Sequence, residues 1–511
     1  MGLFVCVLYA AVLAILSVYG IHRSYLVLME VRLRHRLRVL KEGVPALAPF
    51  LGAAPMAPLP TVTIQLAIFN EATVARRLLE SVARIEYPHE LLEIQVLDDS
   101  TDETRPILRR CVAELQEAGR DVTYLHRENR IGYKAGALAA GLSVAKGELL
   151  ALFDADFIPP SDFLRKVIPH FDDPKVAMVQ TRWGHLNRDH SILTRVAALM
   201  LDGHHLMENR IRAAAGWLFN FAGTGGVWRK CAIESAGGWQ HDTLTEDLDL
   251  SYRAQLAGWK FVYREDIVTP AELPEDVSAF RAQQFRWALG TVQTSRKLLG
   301  RIVRSELSLG ARAEAFFHLT PHFAYPLTLL LSVILLPLVI LMPGSNSALV
   351  VALDVPLFLG TTGSLTAFYA AAERAQGRRA RDALFVVPAL IAVGVGLTPL
   401  ITRALIRGYR QMAGEFVRTP KKGATTGARY RTTALALPFM ESVLFLISLA
   451  ATIASTRTGH VIATPFAALF TAGYGYMAGT MIHEQFQRAA AHSGSAPDPV
   501  VSSIAASSDA E

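Results

Sequence analysis

The chain has 511 residues, 51% of them hydrophobic and 19% charged, with a mean hydropathy of +0.28. That balance is too apolar for an ordinary soluble enzyme and too charged for a pure membrane bundle, so one soluble domain joined to a transmembrane part is expected. The net charge of +6 and pI near 9.2 do not point to nucleic acid, which is excluded as a partner. No stretch interleaves aromatic and basic residues as such modules do, and many Lys and Arg sit beside apolar runs, where positive-inside anchoring explains them.

In chain order, Gly2–Tyr19 is an uncharged apolar run with no basic stretch before it and no small-residue cleavage site after it, so it reads as a retained anchor helix. Arg32, Arg34, Arg36, Arg38 and Lys41 follow and place the next segment on the cytoplasmic side. Residues 1–45 are thus an anchor with a basic interfacial segment, and residues 46–60, rich in Pro, Ala and Gly, a linker. Residues 61–300 hold strand-like runs at Val62–Phe69, Ile94–Leu97, Val122–Leu125, Leu149–Phe153 and Val176–Gln180. Helical patterns lie between them at Glu71–Arg84, Thr104–Glu117 and Lys134–Ala145. This alternation predicts an α/β domain with a mostly parallel sheet and helices on both faces. Asn70-Glu71 stands where the first of these helices would be capped. Cys6, Cys111 and Cys231 form neither a metal pattern nor a disulfide framework, which suits a reducing cytosol.

Residues 301–490 turn apolar in blocks. Pro321–Met342, Ala348–Ala371, Ala434–Ala454 and Val461–Met481 are each long enough to cross a bilayer. Leu384–Thr402 lies between basic loops that both belong inside, and it contains Gly394, Gly396 and Pro399. An interfacial or re-entrant segment is expected there. This gives five full crossings, a cytoplasmic catalytic domain, and a multi-pass protein of the cell's inner membrane. Residues 491–511 read as a disordered tail.

The chemistry gathers at strand ends. The runs ending in Leu97-Asp98-Asp99-Ser100 and Asp154-Ala155-Asp156 both stop in paired acids, and ligands of α/β sheets bind at the carboxyl ends of strands. Asp98, Asp99, Asp154 and Asp156 should converge in one crevice, where a hard divalent cation with oxygen ligands would relieve their repulsion and bring phosphates with it. An isolated Asp-x-Asp is more readily a helix cap or turn; its place after Leu149–Phe153, with Asp98-Asp99 after a second strand, speaks for the metal. Thr245-Glu246-Asp247 precedes the helical pattern Leu248–Leu256 and reads as an N-cap with acidic first-turn residues, or as the source of a base that deprotonates a hydroxyl. Gln283, Arg286 and Trp287 share one helical face. Arg can clamp a diphosphate and Trp can face a sugar ring; the same pattern also suits a helix lying on the membrane. Lys134 is a diphosphate contact or a solvated lysine. Gly223-Thr224-Gly225-Gly226 allows close backbone approach to a ligand, or is a flexible turn. His204-His205 reads as structural.

Taken together, Asp98-Asp99, Asp154-x-Asp156, Thr245-Glu246-Asp247 and Gln283-x-x-Arg286-Trp287 resemble the D, DxD, TED, QxxRW set of glycosyltransferase family two. These are the processive membrane β-glycan synthases: cellulose, hyaluronan and chitin synthases and the cellulose synthase-like mannan synthases. Overall likeness is to the glucomannan branch. The resemblance implies a GT-A (Rossmann-like) domain between transmembrane helices. It implies nucleoside contacts at Asp98 and Asp99, and Mg²⁺ or Mn²⁺ with the donor diphosphate at Asp154 and Asp156. Asp247 would be the general base. Gln283, Arg286 and Trp287 would hold the diphosphate and the acceptor end, with Lys134 and Glu246 also among the substrate-binding residues. Glu415–Lys421 is similar to the gating loop of cellulose synthases.

The implied activity is inverting, metal-dependent transfer of a hexosyl unit from UDP-glucose or GDP-mannose to the non-reducing end of a growing β-glycan, processive and coupled to membrane translocation. The implied partners are the nucleotide-sugar donor, a glycan acceptor, membrane lipid and export proteins. Two other readings are a non-processive enzyme that glycosylates a ceramide- or diacylglycerol-type lipid, and a transporter or scaffold with a degenerate nucleotide-sugar domain. The second of these would need one of the acidic groups to be missing, and none is.

Overall fold

A computed structural model describes residues 2–42, 58–341, 359–414, 438–460 and 463–493. Its centre is a seven-stranded sheet in the order β3-β2-β1-β4-β6-β5-β7. The strands are β1 (Val62–Ile68), β2 (Leu92–Asp98), β3 (Asp121–His126), β4 (Leu149–Phe153), β5 (Val176–His185), β6 (Gly226–Arg229) and β7 (Lys260–Ala271). β1, β2, β3 and β4 run parallel, as do β5 and β7; β6 is antiparallel to both its neighbours, β4 and β5. The sheet is therefore mixed. β2 and β4 are buried at every residue, because helices cover both faces of a mainly parallel sheet.

Two strands escape the sequence reading. β6 has four residues directly after a glycine-rich loop, too short to show a period. β7 carries Lys260, Arg264, Glu265 and Asp266 within an otherwise strand-like run, so its charge masks it. Asn70 also differs from expectation. The helix Ala72–Ala83 starts at Glu71 without a side-chain cap. Asn70 instead adopts a left-handed φ of 53° and bridges two strand ends: its amide nitrogen donates to Ser100 Oγ at 2.9 Å, and its Oδ1 accepts from Thr101 N at 2.8 Å. That stitches the carboxyl end of β1 to that of β2.

Among the described residues, Gly2–Arg32, Pro321–Leu341 and Phe439–Arg457 are long and apolar enough to cross a membrane. Ala380–Gly396 and Thr398–Arg410 meet at 51° and together make a fourth candidate. The break falls inside Leu384–Thr402, where Gly396 and Pro399 weaken a straight helix. The helix Ala463–Ser493, expected as a crossing, is not among these candidates; Thr, Gly and Tyr dilute its apolar character. Much of Ala348–Ala371, and all of Glu415–Lys421, lie outside the described residues.

Candidate active site

The parallel strands deliver their carboxyl ends to one edge of the sheet, and a cleft opens there. Phe69 follows β1, Asp99 follows β2, and Asp154 and Asp156 follow β4. Trp183 and His185 close β5, and Glu272 follows β7; all line the cleft. Three other elements reach in: Lys134 from the start of the helix Tyr133–Val144, Glu246 and Asp247 from the helix Glu246–Leu256, and Gln283, Arg286 and Trp287 from the helix Val277–Val303.

The loop between them is fixed from beneath. Buried Gln180 donates to the carbonyls of Thr224 and Gly225 at 3.1 Å and accepts from Ala222 N at 2.8 Å. Asp154 N donates to Thr224 Oγ1 at 2.9 Å, which sets the turn carrying both Asp154 and Asp156. Gly223 has a φ of +84°, and a β-carbon there would stand 2.9 Å from Asp247 Oδ2 and 3.6 Å from Lys134 Nζ. Only glycine lets the backbone pass so close to two charged groups.

Lys134 Nζ donates to Asp154 Oδ1, and to the carbonyl of Gly223 at 2.9 Å. Burial works against its charge, but Asp154, Glu246 and Asp247 more than offset that and hold its pKa above the ordinary value. Burial raises the pKa of Glu246. Burial, reinforced by Glu246, pushes Asp247 from 3.8 up to about 7. Burial lowers Arg286 against the pull of Glu246, Asp154, Asp247 and Asp156, so its guanidinium stands in the field of all four carboxylates. The cleft thus combines a carboxyl raised to about 7, two cations and the paired acids of β4.

A sequence model described as Glycosyltransferase like family 2 matches residues 60–290. That segment belongs to glycosyltransferase family 2. Glucomannan 4-beta-mannosyltransferase 1 of Oryza sativa subsp. japonica is 41% identical over 273 residues, 52% of this chain and 51% of the relative. Glucomannan 4-beta-mannosyltransferase 2 of Arabidopsis thaliana is 40% identical over 295 residues, 56% of this chain and 55% of the relative. The chain spans about half the length of the curated relatives it matches. Among solved structures, mannosyltransferase PcManGT from Pyrobaculum calidifontis has a TM-score of 0.48 at 20% identity, over 78% of this chain and 99% of that one. The GT-A-like fold of the family 2 domain is read from its own sheet.

In this glycosyltransferase domain one expected site residue stands apart. Asp98 is fully buried and does not line the cleft. Its Oδ2 accepts from Tyr124 Oη at 2.6 Å and lies 3.2 Å from His126 Nδ1, and its Oδ1 accepts from Ser100 N at 2.8 Å. It ties β2 to β3, and its neighbour Asp99 faces the cleft. Side chains alternate along a strand, so two adjacent acids cannot both point the same way. Asp99 is gripped by Arg127, Nε to Oδ1 at 2.8 Å and Nη2 to Oδ2 at 2.5 Å.

Sequence reasoning did not single out Arg130, Trp183 or His185. The Arg130 guanidinium lies 3.4 Å from the Phe69 ring centre and forms a flat wall of the cleft. Trp183 donates from Nε1 to the Thr224 carbonyl at 3.3 Å, and His185 is 3.0 Å from Asp202. Both lie in the part of β5 beyond Gln180, where the apolar run ends and the sequence signal with it. His205 is buried in a π-helical turn, Gly203–Asn209, where it pairs edge-on with His204 and packs behind Trp183 of the cleft wall, ring centres 5.2 Å apart.

Asp154 and Asp156 are the hard oxygen donors suited to a divalent cation. Among the described residues no set of three or more His, Cys, Asp or Glu converges at ligand spacing. The donor set fits a cation that draws its remaining ligands from phosphate and water, as Mg²⁺ does. It does not fit a closed protein cage.

Proposed function

We propose that the protein transfers a mannosyl or related hexosyl unit from a nucleotide sugar to the non-reducing end of a β-glycan, with inversion at the anomeric carbon. The observation that carries this reading is the placement of Asp247 in one cleft with the Lys134–Asp154 pair and Arg286. The curated relatives named glucomannan mannosyltransferases support mannose as the unit; the donor classes expected from sequence are GDP-mannose and UDP-glucose.

Lys134 and Arg286 hold the donor diphosphate as cations, and Arg127 keeps Asp99 aimed at the nucleoside end. Arg130 over Phe69 offers a flat face to the base. Gln283 and Trp287 hold the acceptor sugar, with Trp giving an apolar ring face. Asp247, its carboxyl poised near 7, takes the proton from the acceptor hydroxyl. That oxygen then forms a bond to the anomeric carbon from the face opposite the leaving group. The bond from that carbon to the phosphate oxygen breaks, and the nucleoside diphosphate leaves with the electron pair. Asp154 and Asp156 would hold a divalent cation, which would supply charge stabilisation for the departing diphosphate. The flanking apolar helices anchor the domain at the cytoplasmic face of the inner membrane, and the growing glycan passes outward beside them, one chain elongated many times.

Membranes carrying the protein, incubated with labelled GDP-mannose and UDP-glucose, should build a long product that β-linkage-specific hydrolases digest. EDTA should abolish its formation, and Mg²⁺ or Mn²⁺ should restore it. A product that partitions into organic solvent as a glycolipid would replace the glycan acceptor with a lipid. Turnover unaffected by EDTA would remove the metal.

A further inference from the structure

We infer that Glu484 and Glu441, from the two C-terminal helices, are positioning residues that set the helix Val277–Val303 against the donor site. The inference rests on the transfer reading above. Helix starts are ordinarily capped by the residue just before them. Here Asp276 occupies that position and makes no side-chain cap. The cap comes from Glu484, in the helix Ala463–Ser493. Its Oε1 accepts from Val277 N at 2.9 Å, and its Oε2 accepts from the Ser278 hydroxyl. One turn on, Arg281 Nη2 donates to Glu441 Oε1 at 2.8 Å, with both side chains buried. Glu441 lies in the first turn of the helix Phe439–Arg457, which packs along Ala463–Ser493.

Glu441 is buried; a buried carboxylate is costly unless it is paired, and an apolar residue there would serve packing as well. What these two carboxylates supply is direction. A carboxylate at a helix N-terminus meets unpaired N–H groups and the positive end of the dipole, so it fixes where the first turn starts. Gln283, Arg286 and Trp287 sit in the turns that follow. The start of the helix carrying Gln283, Arg286 and Trp287 is therefore registered by the C-terminal helices, while Lys134 and Asp154 are held by the sheet and its loops. Loss of the registration separates acceptor from donor geometry, and a misplacement near 1 Å costs on the order of 100-fold in a reaction that depends on alignment.

The full-length protein in nanodiscs, compared with Glu484→Ala and Glu484→Gln, tests this. The readouts are donor KM, acceptor KM, and the share of donor sugar released to water. In that side reaction water replaces the acceptor hydroxyl at the anomeric carbon, its proton goes to Asp247, and the same nucleoside diphosphate leaves. For Glu484→Ala, acceptor KM should rise about tenfold and the hydrolysed share several-fold, with donor KM rising about threefold, because Arg286 moves with the helix while Lys134 stays in place. Glu484→Gln, which keeps an acceptor for Val277 N, should lie between wild type and Glu484→Ala. If both variants lower turnover alone, with both KM values and the hydrolysed share unchanged, Glu484 is merely structural and the inference falls. Should Glu484→Ala not fold, Glu484→Gln still reads the split, and the exchange Arg281→Glu with Glu441→Arg provides an independent arm. Either single change should raise acceptor KM and the double should restore it; a double no better than the singles removes Glu441 from the scheme. A wild-type protein that turns over no nucleotide sugar would sink the transfer reading instead.

Discussion

At the residue scale the cleft turns on Asp247. A positioned general base contributes about 100- to 10,000-fold, so Asp247→Asn should cut kcat by roughly 1,000-fold while donor binding, measured by nucleotide-sugar titration, is retained. The same residue sets a pH dependence. A carboxyl raised from 3.8 to about 7 is ionised, and able to accept a proton, only above that value. For the free enzyme kcat/KM should therefore climb about tenfold per pH unit toward 7 and level off above it; a flat profile from about pH 5 to 8 would take the titrating base away from Asp247. Gly223→Ala places a β-carbon 2.9 Å from Asp247 Oδ2 at a φ of +84°. Transfer should drop about 100-fold with only a small loss of thermal stability, because the strain is confined to one loop. The glycine-rich motif was visible in the sequence, but whether it approached a ligand or merely turned was not. Contact with Asp247 depends on a helix that begins more than twenty residues later.

At the scale of elements, the helix Val277–Val303 joins Gln283, Arg286 and Trp287 to the acidic turn. A β-carbon on Gly290 would stand 2.5 Å from Thr245 Cγ2 and 2.8 Å from Thr245 N, so the helix and the Thr245-Glu246-Asp247 turn touch backbone to backbone. Gly290→Ala should push them apart and lower transfer at least tenfold, with a far-UV circular dichroism spectrum like that of wild type. Retained activity would show that the two elements move together without consequence. From sequence, the face carrying Gln283, Arg286 and Trp287 suited a membrane-lying helix equally well. In the fold those three side chains line the cleft. The strands were legible wherever an apolar run stood alone. β6 and β7 were not, since one is too short to show a period and the other carries its charges along the strand.

For the whole molecule, the proposed orientation has a reporter already in the chain. Cys231 is exposed and Cys111 buried, and Cys6 lies in the N-terminal helix. A membrane-impermeant maleimide should leave Cys231 unlabelled in intact cells and label it in inside-out vesicles; labelling in intact cells would put the glycosyltransferase domain outside. The same orientation puts the basic segment Arg32–Lys41 on the cytoplasmic side, as its charge requires.

The sequence alone determined that apolar runs stop in acids, that a glycosyltransferase set stands in order, and that apolar helices flank it. Those are local properties: side-chain chemistry, short spacings and run length. The tertiary structure alone decided which of two adjacent aspartates faces the cleft, which loop Gln180 holds beneath Asp154, and which distant carboxylates meet the start of the helix Val277–Val303. Each of these is a contact between residues far apart in the chain, and no local pattern records a contact that exists only once the sheet has brought its strand ends together.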